Sequence, residues 1–189
     1  MIQTAIFPNE KAWRYVDIVK HKKLIFSNPG SWVASLEATY KAKIYGGHLE
    51  NRSPLFDERH EPESLIHLGL DFWLPEYTKV FSPTSGKIVY STYEPEPTKG
   101  WGGRIDIETN QSVIIIAHLQ QTQYKRNDTI LKGQELGRLG SRDENGGWLP
   151  HLHVQAVNRH HYYSFTSPSN IDAYAEPSED LKFQYPYPQ

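Results

Sequence analysis

Pro150-His151-Leu152-His153 is the stretch around which the rest of the chain is organised. The apolar residues that alternate with and follow the histidines predict a β-strand from His151 to Val157. In a strand, side chains two positions apart point to the same face, with Cα atoms roughly 6.5–7 Å apart. The imidazoles of His151 and His153 can therefore converge on one small site.

His67 and Asp71 form a second candidate pair, four residues apart. In a fully extended strand their Cα atoms would lie roughly 13 Å apart, too far for both side chains to bind one ion. The chain must therefore bend between them, and Gly69 permits such a bend. With a third ligand from His151 or His153, the protein would supply three ligands and leave one position open, as in catalytic zinc sites.

His118 follows Val113-Ile114-Ile115-Ile116-Ala117, the most apolar run of the chain, which predicts a buried central strand. Further short apolar or alternating segments at 79–83, 86–90 and 104–108 also predict strands. The 13 glycines and 13 prolines supply many turn signals between these segments. Together these features predict a mainly β domain.

The spacing of apolar residues in the N-terminal region predicts helical structure outside this β domain. Helical spacing from Ser31, with Gly46-Gly47 as the stop, predicts a helix at about 31–45. Residues 13–20 indicate a shorter helix, and 24–26 a strand. We therefore predict an N-terminal extension over 1–60, a β domain with the candidate site over 61–165, and an extended tail rich in proline and tyrosine over 166–189, packed on the surface.

Composition excludes several classes of protein. The net charge is −2 and evenly spread, whereas a nucleic-acid binder would carry a basic stripe. The absence of cysteine excludes disulfides, thiolate catalysis and cysteine-ligated structural zinc. No segment approaches the roughly 18 apolar residues of a membrane helix, and no signal peptide is visible. The sequence as written predicts a cytoplasmic protein, or an envelope or secreted one if an export segment was removed.

Taken together, the motifs resemble the M23 family of zinc metallopeptidases, the lysostaphin-type peptidoglycan endopeptidases. The family pattern is His-x3-Asp, a lone histidine followed by leucine at a strand end, and His-x-His. Its counterparts here are His67-x3-Asp71, His118-Leu119 and His151-x-His153. The resemblance covers about residues 65–157. The flanking residues that also agree are Gly69, Pro75, Val80, Pro83, Gly86, Val89, Lys132-Gly133-Gln134, Gly137 and Gly140.

The resemblance implies a fold and a role for each motif residue. The fold would be a small antiparallel β-sheet or sandwich domain of the duplicated hybrid motif type, with an open groove. One Zn²⁺ ion would be bound by His67, Asp71 and His153, and the two catalytic histidines would be His118 and His151. The substrate would be a peptide, most plausibly a peptidoglycan cross-link.

The loop 141–149, which lies next to His151, is one candidate wall of the groove, and the long loop 93–103 is the other. One alternative function stays open, which is a catalytically idle module of the same fold that binds or regulates a partner. The presence of all five motif residues favours the zinc endopeptidase.

Overall fold

The computed structural model describes residues 2–55, 66–97, 100–175 and 183–184. Within them the chain is mainly β, as predicted, with short helices at its N-terminal end. The helices are α1 Ile2–Ile6, α2 Lys22–Ser27, α3 Trp32–Tyr40 and α4 Arg159–Tyr162. The strands are β1 Trp13–Tyr15, β2 Lys43–Gly46, β3 Glu50–Asn51, β4 Ile66–His67, β5 Leu70–Trp73, β6 Lys79–Phe81, β7 Gly86–Glu94, β8 Gly102–Glu108, β9 Ser112–Leu119, β10 Thr129–Ile130, β11 Glu135–Arg138, β12 His151–Asn158, β13 Tyr174–Ala175 and β14 Phe183–Gln184.

One large sheet dominates the described part of the chain, with strand order β1-β2-β5-β12-β9-β8-β7-β10 and β14 added against β12. Its pairings are antiparallel except for the parallel pair of β1 and β2. Two small sheets flank it, β11-β6 and β13-β4-β3. This antiparallel-rich architecture confirms the predicted fold class.

The two faces of the central strands have different characters because side chains alternate along a strand. On β12, Leu152, Val154 and Ala156 belong to the main hydrophobic core. His151 and His153, at the intervening positions, point to the opposite face. One face of the sheet therefore packs against the core, and the other face carries the candidate site residues.

The N-terminal region continues the main sheet. β2 pairs with β5, and Ile44, which is fully buried, lies opposite Trp73. α3 packs beside them, with Trp32 in edge-to-face contact with Trp73 at 5.2 Å between ring centroids. Strands from both sides of the predicted boundary at residue 60 thus share one sheet, and the division into domains stays a prediction.

The helix predicted over 31–45 ends early, at Tyr40. Lys41 adopts a left-handed conformation with φ 51°, and the chain then enters β2, where its backbone bonds to β5. The predictions for 13–20 and 24–26 are wrong. Trp13–Tyr15 is strand β1, residues Ile18–His21 form a 3₁₀ helix, and 24–26 lie within α2. Pairing with β2 overrides the local periodicity at Trp13–Tyr15, whereas the apolar run 24–26 is too short for periodicity to separate a strand from a helix.

The described part of the predicted tail is built into the fold. Ile171 is fully buried, β13 pairs with β4, and β14 pairs with β12. The remainder of the tail, 176–182 and 185–189, lies outside the described residues. None of the helices in the described ranges has the length and apolar character needed to cross a membrane.

Ile44→Ala should lower the free energy of unfolding by about 2–5 kcal/mol, because it leaves a cavity between β2 and the buried Trp73. Urea denaturation should show one transition, since β2 belongs to the main sheet. Leu131→Ala is the matched control: Leu131 is 62% exposed, and its truncation should cost no more than about 0.5 kcal/mol. Equal stability of the two variants would contradict this account.

Candidate metal centre

Strand register brings three of the predicted site residues together. In the antiparallel pair of β5 and β12, His153 lies directly opposite Asp71. His67 ends β4, and the two-residue break before β5 turns its side chain toward the same point. The candidate ligand atoms of these three buried residues all lie within 4.8 Å of one another. The bend predicted between His67 and Asp71 is therefore present.

Specific atoms of the two imidazoles and the carboxylate face one another. Nε2 of His67 lies 3.1 Å from Nδ1 of His153. Nδ1 of His153 lies 3.1 Å from Oδ1 of Asp71, and Nε2 of His67 lies 3.4 Å from Oδ2. Two nitrogens and one carboxylate thus converge, which is the donor set of a catalytic zinc site.

The other ring nitrogen of each imidazole donates its N–H to an oxygen of the protein. Nδ1 of His67 is 3.0 Å from the carbonyl oxygen of Gly47, and Nε2 of His153 is 2.9 Å from Oε1 of Gln155. Gln155 donates from its amide nitrogen to the carbonyl oxygen of Asp172, which fixes its amide orientation. The N–H groups therefore point outward, and the lone pairs of the two facing nitrogens point at each other.

Charges around the cluster favour a cation at its centre. Burial, reinforced by the nearby guanidinium of Arg52, lowers the pKa of His67 to about 3, so the imidazole is neutral at neutral pH. Burial opposes ionisation of Asp71, yet its interactions with His67 and with the guanidinium of Arg52 hold the pKa of that carboxyl well below the ordinary value. Two lone pairs and one negative charge around a buried point repel each other unless a cation lies between them. The residues present fit a divalent metal.

His118 reaches the site through a β-bulge. The register of β8 and β9 shifts between Gly103 and Arg104, which pair with Leu119 and Ala117, so His118 is the extra residue. Its φ is 66°, in the left-handed region that non-glycine residues rarely adopt. Bulges of this kind redirect a side chain out of the alternating pattern of the strand. The distortion aims the imidazole of His118 at the same face as His151.

His118 and His151 lie side by side, with 4.4 Å between their ring centroids. Nδ1 of His151 is 2.8 Å from the carbonyl oxygen of Leu149, so its N–H donates there and Nε2 carries the lone pair. Nδ1 of His118 is buried and has no hydrogen-bond partner among the described residues. Burial lowers the pKa of both imidazoles below the ordinary histidine value, which keeps them neutral and able to accept a proton.

A pocket of about 360 Å³ opens over these five residues. Gly100 and Trp101 contribute one part of its wall, and Asn145, Gly146 and Trp148 another, which confirms both predicted wall loops. The pocket is also lined from regions that the sequence did not connect with the site. These are Ile18, Trp32 and Arg52 from the N-terminal region and Asp172, Ala173 and Tyr174 from the tail.

All five predicted site residues therefore lie together, while their assignment as ligands and catalytic groups stays a prediction. Sequence reasoning missed the residues that support them. Gln155 could have been identified from the sequence, because it is a polar residue in an apolar strand and shares the strand face of His151 and His153. Nothing in the sequence pointed to Arg52, because the segment 48–64 is charged, contains two prolines and shows no apolar periodicity.

Comparison with known proteins gives a family match. Residues 65–164, just over half of the chain, match the model described as Peptidase family M23. No curated protein matches the chain significantly.

Three solved structures illustrate what the chain is similar to. Lysostaphin from Staphylococcus simulans is 29% identical, with a TM-score of 0.45, and the match covers 64% of this chain and 46% of lysostaphin. A zinc containing peptidase from Vibrio cholerae is 28% identical, with a TM-score of 0.42 and coverages of 50% and 28%. Csd3 from Helicobacter pylori is 25% identical, with a TM-score of 0.40 and coverages of 49% and 24%. The match spans less than half the length of each of these proteins, and the family assignment rests on the family match alone.

Gly69→Ala should weaken metal binding by at least tenfold. A Cβ at this position would lie 2.4 Å from Cε1 and 2.5 Å from Nε2 of His153, so the imidazole must move. Zn²⁺ affinity of the full chain, measured by competition with a chromogenic chelator, checks this. Gly30→Ala is the control, because nothing lies within 4 Å of its Cβ position. If both variants bound Zn²⁺ like the parent protein, the proposed position of the metal would be wrong.

Proposed function

The chain belongs to peptidase family M23, and on this premise we propose that it is a zinc-dependent endopeptidase. The observation that carries the proposal is the convergence of five side chains on one pocket. Three of them form a buried donor set for a metal, and two neutral imidazoles lie beside it.

We assign the metal ligands as Nε2 of His67, a carboxylate oxygen of Asp71 and Nδ1 of His153. A zinc ion bound by them would polarise the scissile carbonyl and increase the acidity of the attacking water. The protein's own contribution is to hold the two imidazoles in one tautomer each. The carbonyl of Gly47 and the amide of Gln155 do this, as carbonyl and amide acceptors do in other metal sites.

His151 is the group best placed to move a proton. Its Nδ1–H is held by the carbonyl of Leu149, so Nε2 is free to accept a proton from the attacking water and to deliver it to the leaving amine. His118 lies beside it and is the second catalytic histidine in this proposal. Once either imidazole is protonated, it can stabilise the negative charge that develops on the carbonyl oxygen.

The proposed substrate is a peptide, in particular the peptide cross-link of peptidoglycan. The sequence resemblance to lysostaphin-type endopeptidases supports this substrate class. The pocket is lined by tryptophans, among them Trp101 and Trp148, whose rings can pack against a peptide. Trp148 is 40% exposed, so it can contact a substrate that lies along the opening.

Digestion of purified peptidoglycan and its soluble cross-linked fragments, read by mass spectrometry, tests the proposal. We expect cleavage that stops when a chelator removes the metal and returns when Zn²⁺ is added back. The mass of the products identifies the scissile bond. Hydrolysis that continues after complete removal of metal would contradict a zinc-dependent mechanism.

His118→Ala should reduce kcat by about 10²–10⁴-fold, the usual contribution of a general acid or base, while the protein still binds one Zn²⁺ ion. The metal should be retained because His118 is not among the three proposed ligands. Metal content and turnover are measured on the same sample, and His160→Ala, an exposed histidine outside the pocket, is the control. Loss of zinc together with activity would show that His118 is a ligand instead.

A further inference from the structure

The buried ion pair between Arg52 and Asp71 joins the candidate metal centre to a part of the chain that precedes the family match. Nη1 of Arg52 lies 2.7 Å from Oδ2 of Asp71, and both side chains are almost fully buried. The guanidinium therefore contacts a proposed metal ligand directly. The inference drawn here rests on the proposed function, since it concerns the same metal centre.

Glu50 holds the other end of this guanidinium. Its Oε2 accepts from Nε of Arg52 at 2.9 Å, and its Oε1 accepts from the backbone N–H of Ile18 at 2.7 Å. A fixed series of hydrogen bonds thus runs from Ile18 through Glu50 and Arg52 to Asp71. Glu50 balances the charge of Arg52, so Asp71 keeps its negative charge available for a cation.

The backbone of the same segment braces both ligands. Gly46 of β2 pairs with Asp71, and Glu50 of β3 pairs with His67. The carbonyl of Gly47, between these strands, accepts from the imidazole of His67. A Cβ on Gly47 would lie 2.4 Å from Nη2 of Arg52 and 2.7 Å from Nδ1 of His67, so only glycine leaves room for both groups.

We propose that Arg52 is a positioning residue for the metal centre. Its guanidinium holds Oδ2 of Asp71, so that Oδ1 stays beside Nδ1 of His153, 3.1 Å away. Without this contact the carboxylate can rotate about its terminal torsion, and the donor set loses its fixed geometry. Arginine suits the role because its planar fork engages Glu50 and Asp71 at once. The ammonium group of a lysine lacks the rigid fork that makes both contacts in fixed directions.

Arg52→Lys tests this proposal, because it preserves the charge while removing the fork. Zn²⁺ affinity of the full chain, measured by chelator competition, should fall about 10–100-fold. The visible absorption of the Co²⁺-substituted protein should also change, since these bands report the arrangement of ligands around the ion. Thermal unfolding of the metal-free protein is measured in parallel to separate metal binding from folding.

Arg159→Lys is the matched control. Arg159 makes the same kind of contact, from its Nε to Glu108 at 2.6 Å, but it is half-exposed and does not line the pocket. It should leave the Zn²⁺ affinity and the Co²⁺ spectrum as in the parent protein. If Arg52→Lys does so too, Arg52 has no positioning role and the proposal is overturned.

A second variant keeps the test informative if Arg52→Lys fails to fold. The double substitution Glu50→Gln with Arg52→Met removes one negative and one positive charge, so the net charge of the buried group of Glu50, Arg52 and Asp71 is unchanged. It should show the same loss of Zn²⁺ affinity, and parent-like affinity would overturn the proposal. A parent protein that binds no Zn²⁺ would overturn the proposed function as well, whereas normal binding by the parent and by both Arg52 variants would overturn the positioning role alone.

Discussion

The antiparallel register between β5 and β12 is the constraint on which the rest of the site depends. It sets Asp71 opposite His153, and it also decides which side chains enter the core. Because side chains alternate, a slip of one residue would turn His153 toward the hydrophobic core and Leu152 toward the pocket. Packing of Leu70, Phe72, Leu152 and Val154 in one core opposes such a slip. The apolar face therefore enforces the geometry of the polar one.

Buried polar groups need partners, and the three proposed ligands have theirs in successive layers. The imidazoles of the proposed ligands His67 and His153 donate to the carbonyl of Gly47 and the amide oxygen of Gln155, and Gln155 donates in turn to the carbonyl of Asp172. Arg52 connects Asp71 to Glu50. The groups that hold the proposed ligands come from the N-terminal region and the tail as well as from the central strands. The boundaries of the family match, at 65 and 164, do not coincide with the boundaries of the site.

The sequence predicted those features whose cause is local. Alternation in the strand 151–157 shows that His151 and His153 share a face, and the spacing of His67 and Asp71 demands a bend. The sequence did not predict that 43–46 would form a strand. Apolar periodicity contains no information about the backbone hydrogen bonds that this segment makes with β5. The contact of Arg52 with Asp71 could not be predicted from the sequence for a related reason. It depends on the pairing of β2 with β5 and of β3 with β4, which no short motif encodes.

The left-handed bulge at His118 lowers the folding stability while it directs the imidazole into the pocket. A non-glycine residue held in this region of backbone space costs on the order of 1–3 kcal/mol, a cost that glycine largely avoids. Replacement of His118 by glycine would therefore relax the backbone at this position, but it would remove the imidazole that lies beside His151. The pocket thus holds the imidazole of His118 beside His151 at the cost of some folding stability.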